Sequence, residues 1–141
     1  MSCAIDTNVL LDLVAGDQAS GTRAAAVLED ESRHGGLVIS PPVYAECLAH
    51  PGWRQRDVDA LLRDTRIGLT WDLSQQTWVR AGLAFAQFAE RRRKDRGAQP
   101  RRLLVDFLIA AHALEVGGLI TRDSFFSKYF PQLRIVQPLG R

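Results

Sequence analysis

The sequence predicts an α/β fold: a central, mostly parallel sheet of four to five short strands, flanked by helices on both faces. Two observations carry this. Short apolar runs alternate along the chain with longer stretches that repeat at helical spacing. The apolar runs are near-continuous rather than alternating, as strands covered on both faces require. The 141 residues contain no internal repeat, low-complexity stretch or interdomain linker, so residues 1–141 are expected to form a single domain.

The first strand organises the rest. Cys3-Ala4-Ile5 leads into Asp6, and Thr7-Asn8 precedes an apolar run. The stretch reads as a buried strand ending in Asp6, with a helix over 8–14 capped by the Asn8 side chain. A second helix is expected over 20–33, with Ala24, Val27 and Leu28 on one face, ended by His34-Gly35-Gly36. A second strand over 37–40 follows. Pro41-Pro42 opens the next helix, since proline is tolerated in a first turn, and this helix carries Glu46. An amphipathic helix over 53–66, a third strand over 67–73 and a long helix over 75–93 come next. A polar loop over 94–100 leads to an apolar helix over 103–116, broken by Gly117-Gly118. Residues 119–121 read as a fourth strand, Asp123 as the start of a turn or short helix, and 134–136 as a last strand ended by Pro138.

Composition narrows the class of protein. An apolar fraction of 46% argues against disorder. The cysteines, Cys3 and Cys47, have no CxxC spacing, which fits a reducing compartment without a disulfide framework. Neither a leader sequence nor a membrane-length apolar run is visible, so a cytoplasmic protein is expected. Net charge is +2, unevenly spread. Arg91, Arg92, Arg93, Lys94, Arg96, Arg101 and Arg102 lie with two acids between Glu90 and Arg102, a local charge of +5 against −3 elsewhere. Such a cluster fits a polyanion partner, or equally a solvated helix end complementing the helix dipole.

Four acids stand apart from the ordinary surface charges. Asp6 ends the first strand, and Glu46 lies in the helix after the second. Asp106 opens the apolar helix before the fourth strand, and Asp123 follows that strand. All four fall on the side of a parallel sheet where ligands bind, outside the carboxyl ends of the strands. Clustered buried carboxylates repel one another, so a cation is the natural partner. Hard oxygen donors suit Mg²⁺ or Mn²⁺. His34, His50 and His112 lack zinc-site spacing, and neither a phosphate-binding glycine loop nor a nucleophile elbow is present.

These residues also resemble the four acidic motifs of PIN domains, and specifically of VapC-type toxins from toxin–antitoxin pairs. The motifs are Asp6-Thr7-Asn8-Val9-Leu10-Leu11, Pro42-Val43-Tyr44-Ala45-Glu46, Asp106-Phe107-Leu108-Ile109-Ala110-Ala111-His112-Ala113 and Leu119-Ile120-Thr121-Arg122-Asp123, in order over nearly the whole chain. The resemblance implies a divalent-metal endoribonuclease. In it, Asp6, Glu46, Asp106 and Asp123 hold one or two Mg²⁺ or Mn²⁺ ions, and Thr7, Asn8 and Thr121 support them. Some members carry another acid soon after the fourth motif, whereas Ser124-Phe125-Phe126-Ser127 offers none and puts a second metal in doubt. The basic cluster would bind RNA phosphates. Arg122 would do the same, or else pair with a neighbouring acid. A small antitoxin protein and a homodimer are the implied partners. Trp53, Trp71, Trp78, Phe85 and Phe88 are candidates for an apolar interface or for the core.

Two other classes of protein also place an acid after the first strand of an α/β sheet. A phosphohydrolase of the haloacid dehalogenase type would show Asp-x-Asp after the first strand, but Asn8 occupies the second position. A non-catalytic PIN-like module that binds RNA or protein stays open.

Overall fold

The computed structural model describes residues 2–98 and 101–138. Among these, six α-helices surround a five-stranded sheet. The elements run β1 (Cys3–Ile5), α1 (Thr7–Ala15), α2 (Gln18–Ser32), β2 (Leu37–Ile39), α3 (Pro41–Ala49), α4 (Gln55–Thr65), β3 (Gly68–Leu69), α5 (Gln75–Lys94), α6 (Leu104–Val116), β4 (Leu119–Ile120) and β5 (Ile135–Val136). A 3₁₀ turn, Phe125–Lys128, follows β4. No helix of the described residues is long and apolar enough to cross a membrane.

The sheet order is β3-β2-β1-β4-β5, and every pairing is parallel. From β1 the chain builds outward to β3 on one side, then returns to place β4 on the other flank of β1. Right-handed crossovers therefore put the helices between β1 and β3 on one face and α5 and α6 on the opposite face. The strand order reverses between β1 and β4. That is the switch point of an open α/β sheet, where a crevice opens at the strand carboxyl ends. Asp6 leaves β1 there, with its N–H donating to the Ile120 carbonyl at 2.9 Å.

The strands are short, and β1, β4 and Ile39 of β2 are buried. Residues 107–113 of α6 are buried all round, because this helix sits between the sheet and α5. Gly117 (φ +139) ends α6 in a conformation that costs a side chain. A Cβ at Gly118 would meet Cys3 Sγ and Arg134 Nη1 at 3.2 Å, so the next glycine lets β4 enter between its neighbours.

An aromatic cluster packs around the N-terminal end of α6. Phe107 packs on Phe88 at 5.6 Å, on Phe85 at 5.3 Å edge-on, and on Phe126 and Tyr129 at 6.0 and 5.8 Å. Each such pair contributes about 0.5–1.5 kcal/mol beyond its buried area. The five aromatics considered for an interface divide accordingly. Phe88 is core, Phe85 and Trp53 pack against it, and Trp71 and Trp78 are exposed.

Three expectations need correction. Asn8 is not the N-cap of the first helix. Asp6 is, because it holds extended backbone (ψ 153°) and its carboxylate accepts from Thr7 N–H at 2.8 Å. The helix accordingly begins at Thr7. Strand β3 spans two residues rather than 67–73, because after Thr70 N–H bonds the Ile39 carbonyl the chain leaves the sheet edge. The polar loop begins after Lys94, which belongs to α5, and it runs in part through Gln99 and Pro100, outside the described residues. The remaining helices and strands agree with the sequence reading to within a few residues at their ends.

His112 lies in this core, 3% exposed, and neither ring nitrogen has a hydrogen-bond partner. Burial lowers its pKa, against a smaller opposing effect of Glu115. The unfolded chain thus takes up a proton near pH 6.5 that the folded chain refuses, and stability falls as pH drops below that value. Urea midpoints should decline from pH 7 to pH 5, and His112→Leu should flatten the decline. An equal slope in the variant would show that other groups cause it.

Candidate active site

Asp6 sits at the β1–α1 junction, where the strand ends and the first free N–H groups of a helix point at the carboxylate. Burial raises its pKa. The Thr121 hydroxyl and the Thr7 N–H oppose this, and Glu46 and Asp106 add to it by charge. Three carboxylates on three different elements therefore share one electrostatic environment.

Each polar support position expected from the sequence has a defined contact. The Thr121 hydroxyl donates to Asp6 Oδ2 at 2.7 Å, and Asn8 Nδ2 donates to the same oxygen at 3.3 Å. Asn8 Oδ1 accepts from the Arg122 N–H at 3.3 Å, tying α1 to the segment after β4. Thr7 Oγ1 donates to Glu46 Oε1 at 2.6 Å, orienting the α3 carboxylate from the first turn of α1. The Asp123 N–H donates to Thr121 Oγ1 at 3.0 Å. Thr121 is fully buried, so its hydroxyl joins Asp6 to Asp123 without competition from water.

The other two acids are turned toward local partners. Asp106 Oδ2 accepts from the Leu103 N–H at 3.1 Å, a capping contact at the start of α6. Asp123 Oδ2 is ion-paired with Arg102, and its Oδ1 accepts from the Phe125 N–H at 2.9 Å. No three of the four carboxylates bring ligand oxygens within 4.8 Å of one another; among the described residues Asp30, Glu31 and His34 do so. Glu31, however, is engaged by Arg134 at 2.8 Å.

The donor set fits a hard divalent cation. Asp6, Glu46 and Asp106 offer carboxylate oxygens, the Thr7, Asn8 and Thr121 contacts hold two of them in place, and Asp6 is under a desolvation and repulsion load that a cation would relieve. The thiols do not compete. Burial pushes both Cys3 and Cys47 up to about 11, with the nearby charges of Glu31 and Glu46 adding to it.

The basic residues divide. Arg92, Arg93, Arg96, Arg101 and Arg102 line a cavity of about 500 Å³ at the end of α5, floored by Phe85 and Phe88. Arg91 lies 5.2 Å from the Tyr129 ring centroid, and Lys94 pairs with Glu90 at 3.6 Å. Arg122 pairs with Asp12 at 2.6 Å, which is the second of its two expected roles. Sequence reasoning gave no function to Asp12 or to Phe125, whose ring packs under Arg102. Only the proximity of Phe125 to Asp123 in the sequence hinted at it.

A PIN domain family model matches residues 3–129. The chain belongs to the PIN domain family. No curated protein matches it closely enough to be compared. Among solved structures, this PIN domain resembles VapBC2 from Rickettsia felis bound to a DNA fragment from its promoter, at 19% identity and a TM-score of 0.71, covering 97% of this chain and 98% of that one. It resembles VapBC-1 from nontypeable Haemophilus influenzae at 21% identity and a TM-score of 0.70, with 98% of each chain covered. It also resembles FitAcB from Neisseria gonorrhoeae at 18% identity and a TM-score of 0.56, again over 98% of each chain. At these identities the likeness is one of fold.

The electrostatics of Asp6 have a measurable consequence. A carboxyl whose folded-state pKa is raised favours folding below its unfolded pKa and loses that contribution as pH rises through the folded value. Asp6→Asn removes the charge at nearly constant volume. In metal-free protein its urea midpoint, relative to wild type, should therefore rise between pH 4 and pH 8. A difference that stays flat or falls would mean that Asp6 is not under the load described.

Proposed function

We propose that this PIN domain is a divalent-metal-dependent endoribonuclease and the toxin of a toxin–antitoxin pair. The observation that carries the reading is Asp6 at the β1/β4 switch point, half-buried, hydrogen-bonded by Thr121 and Thr7, and held in the like charge of Glu46 and Asp106. That is an acidic site built for a cation, at the place where an open α/β sheet binds its ligand. Membership of the PIN family and the resemblance to VapC-type toxins support the choice of reaction.

Asp6, Glu46 and Asp106 would hold Mg²⁺ or Mn²⁺, with Asp123 at the edge of the site. A divalent cation there supplies activated water at neutral pH and charge stabilisation for an attacked phosphodiester. The chain does the positioning. Thr7 fixes Glu46, Thr121 and Asn8 fix Asp6, and the arginine-lined cavity beside Asp123 would take RNA phosphates. Contacts of this kind place the backbone without reading its bases, so they set affinity rather than sequence preference.

An apolar groove of about 350 Å³ runs between Pro41, Pro42 and Ala45 of α3 and Trp71, Leu73 and Trp78. Trp71 is 63% exposed and Trp78 54%, with Val79 and Leu83 exposed further along α5. An exposed apolar surface of this kind marks a protein contact. We assign it to the partner contacts of the reading, a cognate antitoxin and a second copy in a homodimer. The groove shares α3 with Glu46. The chemistry of the reading fits a cytoplasmic setting.

The test is cleavage of total cellular RNA by purified chain free of any antitoxin. Discrete fragments should appear with Mg²⁺ or Mn²⁺, vanish with EDTA, and fall by at least about 10²-fold in Asp6→Asn, a loss on the scale of removing a transition-state contact. Undiminished turnover in Asp6→Asn, or cleavage unaffected by EDTA, would overturn the assignment. Metal-dependent stabilisation without cleavage of any RNA would favour the non-catalytic PIN module.

A further inference from the structure

The acidic site has two unlike ends. Glu46 and Asp106 bear on Asp6 with like charge, whereas Asp123 already faces a cation. Its Oδ2 is paired with Arg102 Nη1, and its Oδ1 accepts from the Phe125 N–H. Arg102 is itself held in place. Its guanidinium carbon lies 4.1 Å from the Phe125 ring centroid and 5.8 Å from that of Phe126. Phe125 stands edge-on to Phe88 and Phe107, so its stacking face is set by the aromatic core. A guanidinium stacked on a ring and paired to a carboxylate is a pre-organised charge rather than a free surface arginine. The Arg102 and Asp123 side chains are 24% and 28% exposed, enough to be reached by a ligand and too little for full screening.

The local sequence agrees. No acid follows Asp123 in Ser124-Phe125-Phe126-Ser127, so Asp123 is the one carboxylate this segment offers a cation, and Arg102 already answers it. Arg102 also lines the basic cavity, and a guanidinium has five N–H donors, of which the Asp123 bond uses only the Nη1 side.

We infer that Arg102 is a built-in cation of this site: it neutralises Asp123, so that a single divalent ion is held on the Asp6, Glu46 and Asp106 side, and it turns its remaining N–H donors to a phosphate of the bound RNA. The phosphate contact rests on the nuclease reading above; the charge substitution at Asp123 does not. Arg102 thereby supplies at one end of the site the positive charge that another metal ion would supply elsewhere. It does so without dissociating, because the cation is covalently part of the chain.

Counting Mn²⁺ ions bound to the full chain, by the electron paramagnetic resonance signal of free Mn²⁺, tests this. Wild type should bind one ion. Arg102→Ala should bind two, the additional one being lost in Arg102→Ala/Asp123→Asn, while Arg102→Lys keeps the charge and should return the count to one. Two ions in wild type, or an unchanged count in Arg102→Ala, would overturn the inference, as would no binding at all. RNA cleavage read alongside separates the two claims. If the counts follow this pattern but no RNA is cut, the nuclease reading fails and the charge substitution stands. If wild type cuts RNA with two ions bound, the reverse holds. On cleavage itself, Arg102→Ala should lower kcat about 10²-fold with partial recovery in Arg102→Lys, in proportion to the loss of one oriented donor.

Discussion

The hydrogen bond from the Thr121 hydroxyl to the Asp6 carboxylate holds the two halves of the sheet at the point where their functions meet. Asp6 closes β1 and Thr121 closes β4, and these are the adjacent strands between which the strand order reverses. Take that hydroxyl away and Asp6 loses its nearest neutral donor, Asp123 loses the acceptor for its N–H, and the Asn8 side chain loses its contact with Thr121, one of three. Removing one partner of a buried hydrogen bond costs about 1–3 kcal/mol, because the other is left dry and unpaired. The site is thus anchored by a neutral residue, while its charged residues do the opposite and push against one another.

That tension is the physical signature of the site. The fold spends burial on Asp6, a group that resists ionising there, and places Glu46 and Asp106 where their charge makes ionisation harder still. An arrangement chosen for stability alone would have put an amide or an apolar residue at position 6. Natural proteins break local rules of this kind where function needs it. The aromatic cluster around Phe107 works in the opposite sense, because it fixes the 3₁₀ turn after Asp123 and, through Phe125, the seat of Arg102.

Much of this was legible in the sequence because it rests on local signals. Gly117-Gly118 marks the end of α6 for reasons of backbone conformation and close approach, and Pro41-Pro42 marks the start of α3 because proline fits a first turn. The alternation of apolar runs and helical stretches is enough to give a parallel sheet. What the sequence hid depends on distance in space. Asn8 and Asp6 are both good caps, and only the extended backbone at Asp6 decides between them. The ion pairs Arg102–Asp123 and Arg122–Asp12 join residues 21 and 110 positions apart, and no periodicity reports them. The same holds for the division of the aromatics. Trp78 and Phe88 lie on one helix, yet the first faces out and the second faces the core.

The central claim, that Asp6 and its neighbours form a cation site, is tested most directly by the stability of the protein as a function of divalent ion. A ligand that binds only the folded state adds about 2.7 kcal/mol at a hundred times its Kd. Wild-type protein titrated with Mg²⁺ or Mn²⁺ should therefore show a steadily rising unfolding midpoint, and Asp6→Asn should show little or none of that rise. An ion-independent midpoint in wild type, or an equal rise in Asp6→Asn, would contradict the account, because the carboxylate that carries the load would then not be the one the cation relieves.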